Sequence, residues 1–215
     1  LHLSIRRQRQ MCIRDRNCRE DVFMLFDFGG FTRKKVQFKM YALFLLADGQ
    51  WRQEEENLLN TISKEMSLDA DIKKETITYC QSLGITTGDH SDMVIQEIDR
   101  ALSVGGPFFT LHHNTCVQAE TIWTLINLGY ADQDYSAAEK KVVQHLVDKW
   151  EIKQEMISEF VDTAETILLL TKQIEWLKSV GLSYEETKRR LETVEQQIQL
   201  MFDNIQATIS EADAV

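Results

Sequence analysis

The sequence predicts an all-α protein, a domain of about seven helices followed by one long C-terminal helix. Three observations predict it. Apolar residues recur at three- and four-residue spacing, and no stretch of useful length alternates as a strand would. Pro107 is the only proline in 215 residues, so little interrupts the helical runs. The third observation is a repeat. Ala47-Asp48-Gly49-Gln50-Trp51 closes one apolar stretch, and Ala131-Asp132-Gln133-Asp134-Tyr135 closes another 84 residues further on. The same offset pairs Glu55 with Glu139, Leu58 with Val142, Leu59 with Val143, Ile62 with Leu146, Met66 with Trp150 and Leu68 with Ile152. Chemical type is kept at helical spacing, which predicts two similar helix–turn–helix units about a pseudo-twofold axis.

The first helix is expected from Thr32 to Ala47, after Gly29-Gly30, with Gly49 able to close it in the left-handed conformation. The second covers Arg52 to Met66, with Leu58, Leu59 and Ile62 on one stripe. A third runs from Asp69 to Leu83 with Ile72, Ile77 and Cys80 inward, and Gly84 to Gly88 form a loop. Ser91 or Asp92 caps a fourth through Leu102, which carries Val94, Ile95, Ile98 and Leu102. Gly105-Gly106-Pro107 then breaks the chain. The fifth, Asn114 to Tyr130, ends at the second copy of the motif. The sixth, Ala137 to Trp150, turns Val142, Val143, Leu146, Val147 and Trp150 inward.

The seventh helix spans Lys153 to Ser179, and Ile167-Leu168-Leu169-Leu170 is apolar most of the way round, which predicts deep burial. Gly181 and Ser183 precede the last helix, Tyr184 to Ala212, where Leu191, Val194, Ile198, Met201 and Ile205 have the spacing of a coiled-coil seam. That seam either folds back on the body or makes a homodimer. Trp51, Trp123, Trp150 and Trp176 read as core, with Trp51 and Tyr135 plugging equivalent ends of the two helix pairs.

The first residues have another origin. Arg6 to Asp15 is a frame translation of CGTCGGCAGCGTCAGATGTGTATAAGAGAC, which resembles a transposase-based sequencing adapter, so residues 1–16 are read as an adapter-derived scar. Residues 17–31 are a lead-in, residues 32–180 the helical domain and residues 181–215 the C-terminal amphipathic helix. Cys18-Arg19-Glu20-Asp21 can be written TGT AGG GAG GAT, a purine-rich stretch resembling a bacterial ribosome-binding site, and this predicts Met24 as the native start. The scar carries five arginines against Asp15, and without it the formal charge moves from −10 to −14. Such an acidic surface repels phosphate backbones and anionic lipid, so cations and basic protein surfaces are the expected partners and nucleic acid is not.

Of four cysteines, only Cys80 and Cys116 lie within the domain, the pattern of reduced cytoplasmic thiols and not of a disulfide framework. The longest apolar run, Met40 to Ala47, falls far short of the ~20 residues that span a bilayer.

The repeated acids are the one constellation with candidate chemistry. In each copy an Asp ends one helix and a Glu lies seven positions on, so Asp48, Glu55, Asp132 and Glu139 form a candidate ligand set for a divalent cation, with Asp134 and Glu54 nearby. Capping accounts for the same residues without a metal. Ser136-Ala137-Ala138-Glu139 has the form of a capping box, and Glu55 keeps the place of the reciprocating acid although Arg52 stands where Ser136 does. Asp132 to Ser136 lacks the central glycine and late glutamate of an EF-hand loop. His112 and Cys116 have the spacing of a shared helix face but lack further zinc ligands, and Cys80 has no base beside it in sequence. No glycine-rich phosphate loop is present; Phe28-Gly29-Gly30-Phe31 follows no strand. No enzyme is predicted.

With Ala47-Asp48-Gly49 followed by Glu55, and Ala131-Asp132 by Glu139, the sequence resembles the TerB-like tellurite-resistance family over residues 32–152. The resemblance implies an all-helical fold with two such units, a place in bacterial resistance to tellurite and related stress, and clustered carboxylates as metal ligands. Gln133 replaces the glycine of the second copy, and Arg52 the usual cap of the first. The resulting expectation is a non-enzymatic, acidic, cytoplasmic module that binds a divalent cation, a protein partner, or both. The alternative is a structural module, without metal, that self-associates through its last helix.

Overall fold

Two stretches of the chain are buried over most of their length, and these become the two central helices. The computed structural model describes residues 28–85, 87–104, 114–181 and 183–212. Among the described residues lie eight helices and no strand: α1 (Phe28–Phe44), α2 (Gln53–Glu65), α3 (Ala70–Ser82), α4 (Ser91–Val104), α5 (Thr115–Gly129), α6 (Ala137–Trp150), α7 (Gln154–Ser179) and α8 (Tyr184–Glu211). From Phe38 to Ala47 only Lys39 escapes burial, and α5 buries eleven of its fifteen residues, leaving mainly Glu120 to solvent. Helix α1 packs against α2, α3, α4 and α5, and α5 against α6, α7 and α8. One continuous core of both helices' side chains results, with Trp123 edge-on to Phe160 and Phe202 at centroid distances of 5.5 and 6.1 Å.

Helix boundaries follow local chemistry. Asp69 caps α3 through the Asp71 amide, Asn114 caps α5 through Val117, and Ser183 caps α8 through Glu186. Helix α1 begins earlier than expected, at Phe28, and runs through Gly29-Gly30, since glycine disfavours a helix without forbidding it. It also ends earlier, at Phe44. There the Leu46 and Ala47 amides donate to Leu43 and Phe44 carbonyls in a tight turn.

Two expectations about the last helices are corrected, and the α8 seam takes one of its two expected forms. Leu169 is 65% exposed and Ile167, Leu168 and Leu170 are only half-buried, because this part of α7 has left the main core and meets mainly α8. For the same reason Trp176 is 55% exposed and is not core. The α8 seam turns inward: Val194 and Ile198 close a small cluster with Ile174 and Leu177, and Ile205 joins the main core, with Leu191 and Met201 half-buried beside them. A homodimer through that seam would have to pull α8 off α7. The scar, Met24, the Gly105-Gly106-Pro107 break and the His112-His113 pair lie outside the described residues.

Tyr135 plugs its helix pair as expected, 8% exposed with its ring 5.0 Å from that of Tyr130, whereas the equivalent Trp51 is half-buried. The Tyr135 ring lies on Gly129. A Cβ added there would overlap its Cδ2 and come within 2.8 Å of Cε2. Gly129→Ala is therefore expected to cost about 1–3 kcal/mol, the usual range for overpacking, measured by urea unfolding followed by circular dichroism. A variant as stable as the parent would show that the ring does not sit there.

Candidate functional site

At an offset of 84 residues the two acidic turns make the same bonds. The Gly49 amide donates to Leu46 and the Gln133 amide to Tyr130, at 3.1 and 3.2 Å. Both residues sit in the left-handed region, at φ 71° and 74°, so Gln133 adopts the conformation for which its counterpart is glycine. Asp48 Oδ1 accepts the Gln50 amide at 2.9 Å, and Asp132 Oδ1 the Asp134 amide at 3.0 Å. Glu55 Oε2 accepts from the Arg52 amide at 2.7 Å, and Glu139 Oε2 from Ser136 at 2.8 Å. The correspondence runs on to the far ends of α2 and α6, where Ser67 and Glu151 share a left-handed φ of 52° and 55°.

Ser136 completes its box by accepting the Glu139 amide at 3.2 Å. Arginine carries no acceptor, so α2 has only the return half, from Glu55. What Arg52 does instead was not legible as a cap. Its guanidinium bonds Gln50 Oε1 in its own turn, at 3.0 Å from Nη2, and crosses to the other turn to pair with Asp132 Oδ2. It also approaches Asp134 Oδ2 at 3.9 Å. The signal was present in the sequence as the mismatch between Arg52 and Ser136 at equivalent positions.

The four predicted acids therefore divide. Glu55 and Glu139 are 2% and 3% exposed, and each is pushed up to about 7, by burial first and then by the charge of Asp48; Glu55 also acts on Glu139. The cap amides of Arg52 and Ser136 pull the other way. Asp48, Glu55 and Glu139 thus share one electrostatic neighbourhood, while Asp132 is drawn to Arg52. Among the described residues no group of three or more His, Cys, Asp or Glu side chains is arranged to hold a metal ion. A hard cation needs several oxygens, and here one oxygen of each acid already accepts an amide while Arg52 takes the second oxygen of Asp132. As they stand, the four acids do not fit a divalent ion.

The other candidates resolve simply. Cys116 is buried and donates to the Ile209 carbonyl at 3.1 Å. Cys80 is buried with its thiol pushed up to about 12, the opposite of an activated nucleophile. His145 lies 3.1 Å from Asp99, which Lys149 also grips at 2.6 Å, an ion-pair network tying α6 to α4. No family model, curated protein or solved structure matches the chain.

Raised carboxyls give a pH dependence with a definite sign. Between the ordinary glutamate value of 4.5 and about 7 the folded protein keeps protons on Glu55 and Glu139 that the unfolded chain releases, so stability falls as pH rises through that window. Melting temperature is expected to drop from pH 5 to pH 7.5, and Glu55→Gln with Glu139→Gln, which retain a cap acceptor, to flatten that slope. An unchanged slope in the double variant would mean that other groups set it.

Proposed function

We propose that this chain is a non-enzymatic, acidic, cytoplasmic helical module of TerB-like type, working through a protein partner in a stress response of the tellurite-resistance kind. In this reading Arg52 supplies the positive charge at its acidic junction. The observation that supports it is the pair of acidic turns 84 residues apart with matching aspartate and glutamate bonds, which Arg52 joins through Asp132. The matched turns, caps and left-handed residues support descent of residues 32–152 from a duplicated helix pair. A further contact supports a pseudo-twofold axis between α1 and α5. Gln37 and Thr121 are themselves 84 residues apart, and Gln37 Nε2 donates to Thr121 Oγ1 at 3.1 Å, as equivalents lying on an axis would.

A divalent cation held by Asp48, Glu55, Asp132 and Glu139 is the other form of this reading, and it requires Arg52 to be displaced. The two are separated by melting the protein with EDTA, calcium, magnesium or zinc. The parent is expected to melt at one temperature in all four. Arg52→Ser is expected to lose roughly 1–3 kcal/mol, the scale of stranding a largely buried polar group, and to become cation-responsive as Asp132 is released. A parent stabilised by several degrees, reversibly with EDTA, would replace the arginine reading by the metal one.

The partner surface is placed on the α7–α8 hairpin, because Leu169, Trp176, Tyr184 and Leu200 are all large, apolar and more than half exposed there. Self-association through the last helix is the alternative. Sedimentation of the chain at micromolar concentration is expected to give a monomer mass. A dimer abolished by truncation after Gly181 would favour the structural module that self-associates through its last helix instead.

A further inference from the structure

Helices α1, α2, α5 and α8 meet around a pocket of about 150 Å³, on a side of the bundle where no acidic turn contributes a lining residue. Its walls are of two kinds. Trp123, Phe202 and Met66 make an apolar slot, and Tyr41 and Thr124 bring hydroxyls to it. Tyr41 is buried and its hydroxyl is already engaged with Thr124 and Thr121, so these groups shape the slot without asking for a ligand. Arg33 differs. It lines the pocket, its Nε is buried without a hydrogen-bond partner, and it makes no ion pair among the described residues. Buried donors in folded proteins are nearly always satisfied, and an exception asks for an acceptor. The two Nη groups of a guanidinium can bind a carboxylate through two parallel bonds, without calling on the enclosed Nε. Lys34 adds a second positive charge to the same lining.

We infer that this pocket binds a small free monocarboxylate with a flat apolar body, the carboxylate on Arg33 and the body between Trp123, Phe202 and Met66. Size limits the body to a single ring or a short branched chain, since cavities of this volume are those that take up benzene. Glu65 and Glu120 also line the pocket and disfavour a ligand with a second negative charge.

The test uses the full chain, isotopically labelled, with benzoate as probe and benzylamine as its cationic counterpart, followed by amide chemical shifts. Benzoate is expected to shift the amides of Lys34, Trp123, Thr124 and Phe202 saturably. Arg33→Gln is expected to weaken that binding at least tenfold with helical content unchanged, and Arg33→Lys, which keeps the charge without the fork, to fall between. If Arg33→Gln loses its fold, the comparison of parent with Arg33→Lys decides, and equal affinity there overturns the proposal. It is also overturned if benzoate leaves these amides unmoved, or if benzylamine binds as tightly, which would assign recognition to Glu65 and Glu120.

Discussion

Helices α1 and α5 are buried over most of their length, α1 from Val36 to Phe44 apart from Lys39 and α5 at eleven of its fifteen positions. The enclosure of α1 and α5 by the remaining helices is the constraint from which the rest follows. At the end of each central helix the chain reverses at the edge of the core, and the backbone amides freed there need partners. Each reversal answers this in the same way. An aspartate takes the amide two residues on, a residue with positive φ redirects the chain, and a glutamate from the first turn of the next helix takes the amide of the cap residue.

Satisfying amides with carboxylates creates a second difficulty. Glu55 and Glu139 end up almost wholly buried and within each other's field, with Asp48 adding to both. Charge cannot be left unanswered there. Part of the answer is protonation, which is why both carboxyls stand near 7. The other part is Arg52, whose guanidinium spans from Gln50 in its own turn to Asp132 in the other. An arginine at a cap position looks like a defect when α2 is considered alone. Considered with both turns together, it links them.

Part of this was legible in the sequence, because the two acidic turns use residues with narrow conformational uses. The Asp–Gly and Asp–Gln turns, the glutamates seven positions on and the apolar stripes of α2 and α6 all occupy the places their spacing assigns. What was not legible depends on which helices become neighbours. Leu169 and Trp176 have the hydrophobicity of core residues, but local pattern cannot say that the hairpin of α7 and α8 runs past the body and leaves them exposed. The α8 seam was legible as a seam, though not as one closed within its own chain. Arg52 and Asp132 are 80 positions apart, and Arg33 meets Phe202 at a pocket built by four helices, relations that no window of sequence contains.

The central claim is that the two turns bring Glu55 and Glu139 together in a shared, buried, mutually repelling environment. Carboxyl-carbon NMR titration of ¹³C-labelled protein reads this directly. The account predicts two glutamate resonances titrating near neutrality, assigned by Glu55→Gln and Glu139→Gln, with the substitution of either lowering the midpoint of the other. Two independent titrations near the ordinary glutamate value of 4.5 would contradict it.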